Sequence, residues 1–144
     1  MFDEKNNIIL WQNPDFIVFT PKNPHLSLAQ GRHLVAMPKK SMTAAWDNPV
    51  LAGKCFALAA QVAKIWINLN LVQWANLQFN GNWGLLTGRT PFFHVHIYGR
   101  KKTSSTWGQP VVLPKLPGSF HFPTMPEQEI KLLKKTFKKQ LNSK

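Results

Sequence analysis

The chain has 144 residues, 44% of them apolar, so it has the size of one domain and enough apolar material for an ordinary core. Its acidic start lacks the basic and then apolar order of a secretory signal, and Lys54, Gln61 and Lys64 interrupt the long apolar stretch. We therefore expect a soluble, cytoplasmic protein that makes no contact with a membrane. Cys55 is the single cysteine, which excludes an intrachain disulfide, and its place in an apolar helical pattern predicts a core residue.

The chain is strongly basic, since 18 Lys and Arg against 6 Asp and Glu give a net charge of +12. Such a balance favours anionic partners such as phosphates, nucleotides, nucleic acids or anionic lipids. Much of the excess is concentrated at the C-terminus, where a solvated helix face explains it more simply than a dedicated nucleic-acid patch. We expect only weak nucleic-acid binding from this cluster, which consists of Lys131, Lys134, Lys135, Lys138, Lys139 and Lys144.

Three short strands are predicted at the start of the chain. Residues 8–11 and 16–20 flank Asn13, Pro14 and Asp15, which are turn-forming residues, so the two runs predict a hairpin. Residues 33–37 predict a third strand that stops at Pro38.

A long helix is predicted next, with Asn48 as its N-cap and Pro49 at its first position. Its apolar stripe recurs at spacings of three and four residues, at Leu51, Cys55, Leu58, Val62, Ile65 and Leu69. Residues 74–79 then predict a fourth strand, residues 80–84 a turn and residues 92–98 a fifth strand.

A surface loop is predicted over residues 101–119, which are rich in Lys, Ser, Gly and Pro. Thr124 and Glu127 have the spacing of a capping box and predict a final helix, whose apolar face is Ile130, Leu133, Phe137 and Leu141. The order of elements predicts an α+β fold with a mainly antiparallel sheet. Residues 1–100 are expected to form the domain, and residues 101–144 a loop and a basic helix packed on it.

Most of the chemical information lies in a run of aromatic and β-branched residues around His94 and His96. Glycine and proline bound this run, which favours a strand. Because side chains alternate along a strand, Phe92, His94, His96 and Tyr98 are expected on one face.

The two histidines have three interpretations. They can be half-exposed residues on a polar sheet face, with no chemical role. They can bind a metal ion, which needs a third ligand from His25, His33, His121 or a distant Asp. They can also act as nucleophile or acid-base group, since a hydrogen bond at one ring nitrogen leaves the other free near neutral pH.

Residues 88–100, with the sequence Gly-Arg-Thr-Pro-Phe-Phe-His-Val-His-Ile-Tyr-Gly-Arg, resemble the signature of the histidine-triad (HIT) nucleotide-binding superfamily. In that signature His-x-His-x-His is followed by two apolar residues and often by Pro or Gly and then Arg. Residues 31–40, Gly-Arg-His-Leu-Val-Ala-Met-Pro-Lys-Lys, resemble the superfamily's Gly-His-x-Leu-Val-x-Pro-Lys segment. The resemblance covers residues 8–100 and implies a HIT-like domain with a five-stranded sheet, one long helix and a C-terminal helix.

In the register that best fits the flanks, His94 matches the middle histidine of the triad, His96 the third, and Phe92 replaces the first. The resemblance implies that His94 attacks a nucleotide α-phosphate to form a transient nucleotidyl-histidine, which water or another acceptor resolves. His94 can donate its Nδ1 proton to the main-chain carbonyl of Phe92 and present Nε2 as nucleophile, and this carbonyl survives the loss of the histidine ring. His96 is expected to hydrogen-bond phosphate oxygens or the leaving group.

Arg89, Asn80, Asn82 and His33 are the further candidates for phosphate or nucleotide binding. Gly88 and Arg89 replace the polar Gln-Ser/Thr pair of the superfamily, and the Arg89 guanidinium can contact phosphate in its place. His33 is expected mainly to support the site. Residues 19–24 contain no acid where many members place the carboxylate that binds the ribose hydroxyls.

These residues predict a phosphoesterase or nucleotidyl transferase that acts on a small nucleotide conjugate and requires no cofactor. The alternatives are a catalytically decayed nucleotide- or RNA-binding protein and a hydrolase that uses His94 and His96 as metal ligands. The resemblance also implies a homodimer with two sheets joined edge to edge. We expect the apolar area of the dimer interface to come from Trp66, Ile67, Leu71, Val72 and Trp74.

Overall fold

The computed structural model describes residues 2–116 and 118–142, so Lys144 of the C-terminal lysine cluster lies outside the described residues. Five strands form one antiparallel sheet in the order β1-β2-β3-β5-β4. They are β1 (Asn7–Gln12), β2 (Phe16–Pro21), β3 (Gly31–Pro38), β4 (Trp74–Gln78) and β5 (Val95–Arg100). The α+β fold with a five-stranded antiparallel sheet, a long helix and a C-terminal helix is thereby confirmed.

The opening hairpin forms as predicted because Asn13 organises its turn. The Asn13 side-chain oxygen accepts hydrogen bonds from the main-chain N–H of Asp15 (2.9 Å) and of Phe16 (2.7 Å). An asparagine that caps its own turn in this way aligns the two flanking strands.

The long helix α1 (Pro49–Asn68) also begins where the sequence predicts. The Asn48 side chain accepts a 3.0 Å hydrogen bond from the Leu51 N–H, and Pro49 occupies the first position, where a missing N–H costs nothing. Helix α1 is long and apolar enough to cross a membrane, but its stripe, which includes Cys55 and Val62, packs against the sheet. It is the core helix of the fold.

The fifth strand begins later than predicted, at Val95 instead of Phe92. Pairing with β3 stops at Ala36 and Val95, and pairing with β4 stops at Gln78 and His96, so residues 92–94 have no neighbouring strand on either side. Instead, the Phe93 N–H donates to the Met42 carbonyl at 2.8 Å. The hydrogen bonds between strands are therefore absent here, but the side chains of residues 92–94 still alternate between the two sides of the backbone.

Residues 82–84 of the predicted turn instead form the first part of a short helix, α2 (Asn82–Leu86). Asparagine and glycine here indicated a turn of the chain, but helical hydrogen bonds form from the Gly84 N–H to the Gly81 carbonyl and from the Thr87 N–H to the Trp83 carbonyl.

The C-terminal helix α3 (Glu127–Leu141) has the predicted apolar face, with Leu133, Phe137 and Leu141 buried in the core. The predicted capping box is wrong. Pro126 is the N-cap, and the Thr124 hydroxyl instead donates to the Pro21 carbonyl at 3.1 Å. Glu129, in the first turn, forms a two-bond ion pair with Arg32 at 2.8 and 2.9 Å. This pair ties the start of α3 to β3.

The sheet has two different faces. One face, with Leu34 and Ile97, packs against α1 and α3 in the main core. The other carries a smaller apolar cluster around Val35 and Met37, and beside it the histidines. Trp66 and Val72 lie fully buried in the main core. They therefore cannot supply apolar area to a dimer, which corrects the expectation for these two residues.

Candidate active site

The segment before β5 positions the first histidine of the site. Phe93 is 1% exposed and is held in the core by its hydrogen bond to Met42. Because neighbours in extended backbone point to opposite sides, Phe92 and His94 turn away from the core. Their rings stack with centroids 4.6 Å apart and planes at 28°.

His94 is oriented by a main-chain group. Its Nδ1 lies 2.9 Å from the carbonyl oxygen of Phe92, as the sequence predicted. Since a carbonyl can only accept, Nδ1 carries the proton and Nε2 of neutral His94 holds a lone pair.

Three histidines form a continuous hydrogen-bonded chain from this point into the sheet. Nε2 of His94 lies 2.9 Å from Nε2 of His96, and Nδ1 of His96 lies 2.8 Å from Nε2 of His33. The chain ends where the main-chain N–H of His25 meets Nδ1 of His33 at 3.2 Å.

Both ends of this chain fix its proton positions. The His25 N–H can only donate, so Nδ1 of His33 accepts and its Nε2–H donates to Nδ1 of His96. The Nε2–H of His96 then donates to Nε2 of His94, whose own proton is held by the Phe92 carbonyl. One arrangement of three neutral rings satisfies every bond, and it leaves the lone pair of His94 facing His96.

The surroundings keep these rings neutral. Burial lowers the pKa of His94, and its hydrogen bond to the Phe92 carbonyl opposes that shift. Burial, followed by the proximity of other histidines, holds the pKa of His33 and of His96 well below the usual value. The pKa of His25 is lowered to about 4, first by burial and then by His94. At neutral pH the site therefore offers N–H donors and one lone pair, but no imidazolium.

His25 lies in the loop between β2 and β3, and its ring covers the hydrogen-bonded chain of histidines. Its ring lies 4.3 Å from the ring of His33 and 5.2 Å from that of His96, and its Nδ1 lies 2.8 Å from the Tyr98 hydroxyl. The Asn23 side chain holds this loop, because it donates to the Phe120 carbonyl at 3.0 Å and accepts from the Phe122 N–H at 3.1 Å.

A cavity of about 640 Å³ opens above the histidines. This is a usual size for a small-molecule site. Its lining includes four of the predicted site residues besides His96, namely Asn80, Asn82, Arg89 and His94. Asn82 and Arg89 are exposed at its rim. His33 is 1% exposed and lies beneath His96, so the structure places it in support of the site and outside the cavity wall.

Three histidines could hold a metal ion by proximity, since one ligand atom from each of His25, His33 and His96 falls within 4.8 Å of the others. Zinc needs each nitrogen lone pair directed at the ion from about 2.0–2.1 Å. The nitrogens of His33 and His96 are hydrogen-bonded to each other instead, and the His25 ring is tilted by only 37° from that of His33. A metal here would have to break the chain of neutral histidines.

The sequence did not indicate several residues of this site. Trp83 of α2 and Phe120 lie 5.1 and 5.6 Å from the His25 ring, and Leu113 and Pro114 form part of the cavity wall. Leu113 and Pro114 belong to residues 101–119, which were interpreted as a plain surface loop, and Phe120 directly follows that segment. No spacing rule connects residues 113–120 to the triad, so only the fold brings them together.

Comparisons with known proteins address the fold. No protein-family model matches the sequence, and no curated protein matches it significantly. Among solved structures, a histidine triad protein from Bradyrhizobium japonicum has a TM-score of 0.67 at 16% identity, over 95% of this chain and 92% of that one. The chain has the histidine-triad fold.

Two further structures with this fold are similar over most of their length. A zinc-bound histidine triad family protein from Mycobacterium smegmatis has a TM-score of 0.65 at 18% identity, over 96% of this chain and 88% of that one. The diadenosine triphosphate hydrolase of Plasmodium falciparum, in complex with cyclomarin A, has a TM-score of 0.60 at 15% identity, over 96% of this chain and 80% of that one. Identities this low establish the fold alone, so the chemistry must be argued from the site.

Proposed function

We propose that this protein is a divergent histidine-triad enzyme, a phosphoesterase or nucleotidyl transferase that acts at the α-phosphate of a small nucleotide conjugate. The observation that carries the proposal is the 2.9 Å hydrogen bond from Nδ1 of His94 to the Phe92 carbonyl. It leaves Nε2 as an unprotonated nucleophile in the wall of a cavity of suitable size. The similarity in fold to a diadenosine triphosphate hydrolase supports the same reaction class.

In the proposed reaction, the substrate first replaces His94 as the acceptor of the His96 Nε2–H, and this exchange frees the lone pair of His94. Nε2 of His94 then attacks phosphorus, a P–N bond forms, and the bond to the leaving group breaks with its electron pair on the leaving group. The positive charge on the His94 ring is stabilised by the Phe92 carbonyl. Water or another acceptor then attacks phosphorus as the P–N bond breaks; the electron pair of that bond returns to Nε2 of His94, which restores the neutral ring, and the proton of the attacking oxygen is released to solvent.

His96 has a separate role in this proposal. Its Nε2–H donates to a phosphate oxygen and stabilises the charge that develops there. Its Nδ1 is held by His33 at 2.8 Å, so the donor is fixed before substrate binds. No cofactor enters the scheme.

A second candidate is a nucleotide or RNA binder that has kept the fold and lost its activity. The observation that favours it is the Phe92 ring, which stacks on His94 and offers no polar atom to a substrate. The five described lysines of the C-terminal cluster are all exposed, on the side of α3 opposite its buried residues. We propose that they contribute only weak nucleic-acid binding, whose affinity falls steeply with added salt.

The deciding experiment compares the parent protein with His94→Ala in hydrolysis of a fluorogenic adenosine phosphoramidate and of diadenosine triphosphate. We expect turnover by the parent and none by the variant, with affinity for 5′-AMP largely retained. Mass spectrometry after rapid quench should find an acid-sensitive nucleotidyl adduct on the parent only. His121→Ala is the matched control, because His121 is exposed and does not line the cavity.

The same experiment separates the two candidates. Equal turnover by His94→Ala and the parent would exclude the histidine nucleophile. A parent that binds 5′-AMP, turns over neither substrate and forms no adduct would identify a binding protein.

A further inference from the structure

His25 stands out among the cavity residues because it belongs to neither sequence motif, yet it contacts the chain of histidines at two points. Its main-chain N–H fixes the proton on His33, and its ring packs over both His33 and His96. The ring also lines the cavity together with His94. Its two ring nitrogens have different surroundings.

Nδ1 of His25 is used inside the protein. It lies 2.8 Å from the Tyr98 hydroxyl. Tyr98 is fully buried, so its hydroxyl proton needs an acceptor inside the protein, and Nδ1 of His25 lies within hydrogen-bond distance. The hydroxyl of Tyr98 therefore donates to Nδ1 of His25, and neutral His25 carries its own proton on Nε2.

Nε2 lies on the far side of the ring from the nitrogen that Tyr98 holds. The structure gives it no hydrogen-bond partner among residues 2–116 and 118–142. The ring is fixed by Tyr98 on one edge and by its packing between Trp83 and the other histidines. A fixed N–H with no acceptor, in the wall of a cavity, is suited to bind an acceptor on a ligand.

We propose that His25 contacts the substrate directly, by donating its Nε2–H to a non-bridging oxygen of the phosphoryl group that His94 attacks. The inference rests on the proposed function. His25 packs over His96, which bonds His94 at 2.9 Å, so a phosphate held by these two residues lies beside the His25 ring. Arg89 is exposed at the rim of the cavity, whereas His25 is half-buried beside the other histidines.

Two variants separate this donor from simple packing. His25→Phe keeps a flat ring between Trp83 and His96 but has no N–H. His25→Gln has no ring but places an amide N–H near the position of Nε2. Both retain the main-chain N–H that fixes the proton on His33. His121→Phe controls for the exchange of a histidine for phenylalanine elsewhere on the surface, and thermal melting of each variant reports any loss of folding.

We expect His25→Phe to lower kcat/KM by about 10²- to 10³-fold, His25→Gln to recover most of it, and His121→Phe to leave it unchanged. The second readout uses the two diastereomers of an α-phosphorothioate substrate, because sulfur is a poor acceptor. For one diastereomer, sulfur should slow the parent strongly and His25→Phe much less. Parent-like kcat/KM in His25→Phe, or a sulfur effect that is the same in both proteins, would overturn the proposal.

Failure of the proposed function gives a different result. If the parent has no turnover, calorimetric titration with 5′-AMP decides the role of His25 without catalysis. A dissociation constant raised about tenfold in His25→Phe and restored in His25→Gln would support the phosphate contact. Equal dissociation constants in the three proteins would overturn it.

Discussion

The carbonyl oxygen of Phe92 accepts the Nδ1 proton of His94 at 2.9 Å, and no atom of the phenyl ring takes part in this bond. The group that orients the proposed nucleophile thus belongs to the backbone. It is held in place because Phe93 is buried and bonded to Met42. The bond therefore does not depend on which side chain stands at position 92.

Phe92→His should therefore change kcat/KM only modestly, by less than about tenfold, because the main-chain carbonyl remains and the new ring takes the place of the stacked phenyl. Steady-state hydrolysis of a fluorogenic adenosine phosphoramidate measures the change. An inactive parent that gains strong activity in Phe92→His would show that the lost side chain had been essential, and that this chain has decayed into a binder.

His96→Ala should lower kcat/KM by about 10²- to 10³-fold, the usual effect of removing one transition-state donor. A smaller loss than in His94→Ala is expected, because the nucleophile and its carbonyl partner remain. His96→Gln, which can still donate to a phosphate oxygen, should recover part of the rate. Complete loss of the covalent adduct in His96→Ala, with folding retained, would contradict the division of roles between the two histidines.

Acid should destabilise this protein through its buried histidines. The pKa values of His25, His33, His94 and His96 are lowered in the folded state from the usual 6.5, in His25 to about 4. Below pH 6.5 the unfolded chain binds more protons than the folded one, so stability falls as pH drops. For each excess proton the free energy of unfolding decreases by about 1.4 kcal/mol per pH unit.

Denaturant unfolding between pH 7.5 and pH 4.5 measures this slope. A His33→Phe variant should start less stable and lose less stability over the same range, because one proton site is gone. Stability that is independent of pH from 7 down to 5 would contradict the assignment of neutral buried rings.

Chelation should leave the proposed reaction unchanged. The lone pairs of His33 and His96 are committed to the hydrogen-bonded chain, so a zinc ion at His25, His33 and His96 would have to break it. The test compares kcat/KM before and after extended dialysis against EDTA, with metal content measured in parallel. Loss of activity that only added zinc restores would favour the metal-dependent hydrolase.

The sequence was most informative where chemistry depends on local spacing. The Asn48 cap, the apolar stripe of α1 and the bond from His94 to the Phe92 carbonyl each follow from residues a few positions apart. The site residues that escaped detection depend on long-range contacts. His25 was recognised only as a possible metal ligand, since its contact with Tyr98 spans 73 positions.

The errors have a similar origin. A capping box at Thr124 was reasonable locally, but its hydroxyl bonds to Pro21 and Glu129 is paired with Arg32. The start of β5 was misplaced because strand pairing depends on where β3 and β4 end. These contacts join residues far apart in the sequence, so a local sequence pattern cannot indicate them.

We predict a homodimer in which the free edge of β4 pairs with its copy. Within the described residues β4 pairs only with β5, so its outer edge offers unpaired main-chain groups. Of the apolar residues expected at this interface, Trp74 is 61% exposed and Ile67 is 36% exposed, whereas Trp66 and Val72 are buried. Trp74 lies on the edge strand itself, so it is the residue to change.

Light scattering should give twice the chain mass of 16.5 kDa at micromolar concentration. Trp74→Glu should shift the protein toward the monomer, because two copies of the new carboxylate would approach each other at the shared edge. Trp46→Glu is the control, since Trp46 is 75% exposed and lies outside the sheet. A mass near 16.5 kDa for the parent at all concentrations would exclude the dimer, and equal dissociation by both variants would place its interface elsewhere.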